Sequence, residues 1–170
     1  MAKPSLRVQI ECGEMKTVVE GDVDEVLKGL VRFLTGIYPN YETLAKFTFS
    51  PDYVAILKDL SEFVKVTPEG QLVLLKRDLP ADEAIGSVLL GAHLALKLGR
   101  LNSDDLSADE LARIVGKSLK TVQNTVVEMM KAAILDRSGR GTYKLTPLGI
   151  KEVHEALKAQ SESQSSGGEV

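Results

Sequence analysis

Between Arg113 and Lys151 this 170-residue chain places eight bases (Arg113, Lys117, Lys120, Lys131, Arg137, Arg140, Lys144, Lys151) against two acids, Glu128 and Asp136. The segment therefore carries +6, while the whole chain, with 21 Lys+Arg and 24 Asp+Glu, carries −3 and the remainder −9. Lysine and arginine at this density can neutralise phosphates and release their counterions. Gln123 and Asn124 lie among them, and an amide side chain can hold adenine by two hydrogen bonds. A net charge of −3, taken whole, argues against a nucleic-acid partner, so the outcome turns on which elements carry the bases.

Those elements can be read from spacing. Ser107 caps a short helix with Glu110 at the reciprocal position, and Leu111, Ala112 and Val115 form its inward stripe. Gly116-Lys117-Ser118 is a tight turn, and Ser118 caps the next helix. There Leu119, Val122, Val126, Met129, Met130 and Ala133 share one face, leaving Lys120, Thr121, Gln123, Asn124 and Val127 outward. Ile134–Arg137 and Thr142–Leu145 then pair as strands around Ser138-Gly139-Arg140-Gly141, which projects Arg140 from a sharp tip. Thr146-Pro147 starts a last helix with Ile150, Val153 and Leu157 inward.

The sequence Leu111-Ala112-x-x-x-Gly116-x-Ser118-x-x-Thr121-Val122, followed by Ile134-Leu135-x-Arg137 and Gly139-Arg140-Gly141-x-Tyr143-x-Leu145-Thr146-x-x-Gly149, resembles the winged helix-turn-helix superfamily. Within it, the pattern is most similar to MarR-like and related archaeal transcription regulators, over residues 103–157. The resemblance implies sequence-dependent binding of double-stranded DNA, as in transcription regulation, with the second helix in the major groove and Arg140 near the minor groove or backbone. Carried over by position, Lys117, Ser118, Lys120 and Thr121 would hold phosphates, Gln123 and Asn124 would read bases, and Arg137, Arg140 and Lys144 would complete the DNA-binding set. Three features depart from the pattern. Glu128 would repel a phosphate, Ala133 stands where the family has a helix-ending Gly, and Val127 with Met130 could form an apolar strip. The alternative is therefore a non-catalytic protein-interaction adaptor in a transcription, replication or chromatin assembly, since winged helices also serve as protein modules.

Catalytic patterns are absent. The chain has no Gly-rich phosphate loop, no His-Glu-x-x-His and no Gly-x-Ser-x-Gly. Cys12 falls in an alternating strand and is expected inward as a small hydrophobe. His93 is expected to be a packed histidine and His154 a surface or interface one. Asp22-Val23-Asp24-Glu25 and Asp104-Asp105 could attract a cation, but carboxylates are also favoured at helix starts. We therefore expect no enzyme, no cofactor and no metal site.

The rest of the chain frames this segment. Leu6, Val8, Ile10 and Cys12 alternate as a strand, Gly13-Glu14 turns it, and Met15–Glu20 returns. Asp22 with Glu25 starts a helix that Pro39 stops, a short helix spans Tyr41–Phe47, and Ser50-Pro51 opens another with Val54, Leu57 and Leu60 on one side. Val64–Thr67 and Leu72–Leu75 form a second hairpin. Asp82–Leu98 is apolar all round, so it must be buried in the monomer or across a homodimer interface. The expected fold class is α+β: an α+β domain of two hairpins and helices over residues 1–77, a mostly helical winged helix-turn-helix domain over 78–159, and a disordered tail over 160–170. One cysteine excludes a disulfide framework. No apolar run reaches the length of a membrane span and no signal segment is evident, so a cytoplasmic protein is expected.

Overall fold

A computed structural model describes residues 5–37 and 49–165. The expected Tyr41–Phe47 helix and residues 166–170 lie outside these. The chain is mixed α+β with small antiparallel sheets. It divides into two compact units, Met1–Ser50 and Pro51–Val170.

In the first unit, β1 (Leu6–Cys12) and β2 (Met15–Gly21) pair antiparallel with Cys12 opposite Met15. Gly13, at φ +60, takes the first central position of the two-residue turn, where a side chain would be strained. Helix α1 (Val23–Ile37) starts in the expected capping box: Asp22 accepts from the Glu25 amide and Glu25 accepts from the Asp22 amide. One expectation fails here. Cys12 is exposed, because it ends its strand beside the turn, where α1 gives no cover. Val26 is the buried hydrophobe of this unit among the described residues.

The second unit is built around one buried helix. Helix α2 (Tyr53–Leu60) leads into the hairpin of β3 (Val64–Val66) and β4 (Leu72–Leu74), and α3 (Ala81–Lys97) follows. The α2 cap is Asp52, which accepts from the Ala55 amide, and not Ser50 as the Ser-Pro pair suggests. Ile56 and Leu60 face inward, while Val54 and Leu57 are exposed. The expected boundary near Arg77 is also wrong: Phe63, Val64 and Leu74 join the same core as Ile85 and Leu89 of α3, so the second hairpin belongs to the C-terminal unit.

Every residue of α3 from Ala84 to Ala92 is buried, as are Leu94 and Ala95. Gly86 and Gly91 allow the approach: a Cβ at Gly91 would meet Val64 Cγ1 at 2.9 Å, and one at Gly86 would meet Val153 Cγ2 at 2.8 Å. This burial within one chain removes the reason for expecting a homodimer through Asp82–Leu98, since the apolar surface is already covered.

Three further helices and a three-stranded sheet complete the unit. Helices α4 (Ala108–Val115) and α5 (Leu119–Lys131) are followed by β6 (Leu135–Ser138), β7 (Thr142–Leu145) and α6 (Pro147–Ser165). A two-residue strand, β5 (Leu106–Ser107), pairs with β7, so the sheet order is β5-β7-β6. Six residues of the expected tail are helical: α6 runs to Ser165, with Gln160 donating to Glu83 and Gln164 accepting from Lys76. Those contacts supply the partners that a Ser-rich sequence alone does not reveal.

Candidate nucleic-acid interface

Gly116 closes α4 in the left-handed conformation at φ +69. Its amide bonds the Ala112 carbonyl, and the chain then turns through Lys117 into the Ser118 cap of α5. Ser107 and Glu110 form the reciprocal cap of α4, at 3.2 Å from the Glu110 amide to Ser107 Oγ and 2.8 Å from the Ser107 amide to Glu110. Both helix starts are thus fixed by bonds local in sequence.

Helix α5 buries Val122, Val126 and Met129 and half-buries Met130. Lys120, Thr121, Gln123, Asn124 and Val127 all face out. Leu119, expected inward, is 40% exposed, because it sits in the first turn, beyond the reach of the core. Spaced four, three and four apart, Lys120, Asn124, Val127 and Lys131 form the ridge of the outward face. Lys131 belongs to that ridge though it was not in the expected set, and this spacing is the signal that could have found it.

The side chains differ in how free they are. Ser118 Oγ accepts from the Thr121 amide at 3.1 Å and lies 2.8 Å from Thr121 Oγ1, so the two hydroxyls are engaged with each other. Glu128 pairs with Lys131 at 3.1 Å, which partly cancels the negative charge on this face. Among the described residues, Lys120, Gln123, Asn124, Arg137 and Arg140 have no side-chain hydrogen bond or ion pair and are exposed. Lys117 and Lys144 are half-buried, and Lys144 stands opposite Asp136 in the β6–β7 register.

Gly139 (φ +65) and Gly141 (φ +77) flank Arg140 at the tip of the β6–β7 hairpin. Thr142 braces that tip by donating to Asp105 at 2.6 Å, and its hydroxyl also meets the Ser138 carbonyl. Asp104 bonds His93 Nδ1 at 2.9 Å. The Asp104-Asp105 pair is therefore structural, its carboxylates occupied by protein donors.

Both histidines are structural too. His93 Nε2 lies 3.4 Å from Tyr53 Oη, and His154 Nε2 lies 2.7 Å from Asp59 Oδ2. Together they hold the two ends of α2, one to α3 and the other to α6. Among the described residues no group of three or more His, Cys, Asp or Glu is placed to hold a metal, and no helix is long and apolar enough to cross a membrane.

The residues from the turn, α5 and the hairpin thus supply cations and amides on exposed surface, held by capped helices and a sheet. No family model, curated protein or solved structure matches the chain.

Proposed function

We propose that residues 103–157 form a winged helix-turn-helix that binds double-stranded DNA in a sequence-dependent way, as a transcription regulator. Helix α5 enters the major groove, and the β6–β7 hairpin acts as the wing. The observation that carries this reading is the coincidence of a +6 segment with these elements, in which Lys120, Arg137 and Arg140 have no side-chain hydrogen bond or ion pair among the described residues. Lys117, Ser118, Lys120 and Thr121 at the start of α5 contact phosphates, with Arg137, Arg140 and Lys144 of the hairpin. Gln123 and Asn124 address base edges, where a bidentate amide contact discriminates adenine.

The test is an anisotropy titration of duplex DNA at two salt concentrations. Direct binding gives an affinity that falls steeply with salt, and both Lys120→Ala and Arg140→Ala weaken it. Absence of binding at low salt would sink the proposal.

The second reading, a protein-interaction adaptor, draws on one observation: Val127 is 43% exposed at the middle of the α5 ridge. It predicts that Val127→Asp abolishes partner binding while Lys120→Ala and Arg140→Ala leave it unchanged.

A further inference from the structure

A cavity of about 360 Å³ opens in the second unit between α2, β3 and the C-terminal half of α3. None of its lining residues belongs to the proposed DNA-contacting set, and all precede the segment that resembles winged helices. Its volume falls near the lower end of the roughly 300–1,000 Å³ of small-molecule sites.

The walls are apolar. Leu60 and Leu94 form the deep part, while Leu57 and Leu98 stand at the mouth, 46% and 61% exposed. Exposed leucines around a concave surface leave apolar area that a ligand would cover. Beside the hydroxyls of Ser61 and Thr67, the charged groups are few and of one sign. Lys65 and Arg100 line the cavity, both exposed and without an ion pair among the described residues, and no acidic residue does.

A third polar feature comes from the β3 edge. The Leu75 amide bonds the Phe63 carbonyl and the Thr67 amide bonds the Gln71 carbonyl, so the bonded pairs of this ladder fall at 63, 65 and 67. The N–H and C=O groups of Val64 and Val66 are consequently directed away from β4. Val64 and Val66 line the cavity and β4 does not, so those groups lie on the cavity side of the strand.

We propose that this cavity binds a small organic carboxylate with an apolar body. The tail lies on Leu57, Leu60, Leu94 and Leu98, and the carboxylate is held by Lys65, Arg100 and an edge amide of β3. Charge selects the class, because two cations with no carboxylate among the lining residues favour an anion and disfavour an amine. The site is independent of DNA binding, so either proposal can fail alone.

Titration calorimetry of the full chain with octanoate, octan-1-ol and octylammonium decides it. Octanoate gives a saturable one-site isotherm, the alcohol binds about tenfold more weakly for want of charge-assisted hydrogen bonds, and the ammonium does not bind. Lys65→Glu with Arg100→Glu, both at exposed positions, leaves the thermal midpoint near wild type and abolishes octanoate binding. No saturation with octanoate, equal binding of the alcohol, or indifference to the double substitution overturns the proposal. Should the double variant fail to fold, the amide resonances of Val64 and Val66 decide. They shift on adding octanoate to the wild-type chain, and unchanged resonances overturn the proposal.

Discussion

Ala133 and Gly149 show how much one methyl group decides. Ala133 follows α5 at φ +59, the one non-glycine residue with positive φ among those described. Its amide bonds the Met130 carbonyl and the next amide bonds that of Met129, so the turn cannot relax without losing both. A left-handed L-residue costs roughly 1–2 kcal/mol, part of which glycine returns through its freer unfolded chain. Ala133→Gly should therefore stabilise the protein by about 0.5–1 kcal/mol, read as a higher urea midpoint at unchanged slope. Gly149 is the converse case. A Cβ there would run into the Ile134 carbonyl, which already accepts from the Thr146 amide at 3.0 Å. Gly149→Ala should cost about 2–3 kcal/mol in the same measurement. The strained position is legible in the sequence as a departure from a family pattern. The close approach at Gly149 is not, because it depends on a carbonyl fifteen residues earlier.

Elements were legible where their ends are fixed locally. The Asp22–Glu25 and Ser107–Glu110 boxes and the Ser118 cap all form between residues three apart, so sequence spacing alone places three helix starts. The outward face of α5 follows equally from period, and all five residues expected to face out do so. Elements defined by distant partners were not legible. Strand β5 is two residues long and exists because β7 lies beside it; the second hairpin itself was legible, but not that it packs with α3 in the C-terminal unit. For the proposed interface, the consequences separate by element. Lys120→Ala on α5 and Arg140→Ala on the hairpin should each flatten the plot of log affinity against log salt by about 0.9, one phosphate apiece. Asn124→Ala should instead weaken discrimination by about 1–3 kcal/mol at one base pair, seen as a flattened preference when that position is varied.

At the scale of the molecule, the charge division runs through the second unit. Met1–Ser50 carries six bases and seven acids, and Pro51–Val170 carries fifteen and seventeen. With +6 in Arg113–Lys151, the rest of the second unit is −8, so opposed fields belong to one folded body. On the proposed DNA-binding reading, such a body is oriented by the polyanion before contact, and its association rate should drop steeply between low and physiological ionic strength, checked by stopped-flow fluorescence. Helix α3 adds a different consequence. It packs against α2, β3, β4, α4, α5, β7 and α6, so none of these can detach without stripping the helix that the others share. Local opening of these elements is then costly. The amides of Val88, Leu89 and Leu90 should exchange with deuterium only through global unfolding, long after those of α1, whose unit buries Val26 alone among its described hydrophobes.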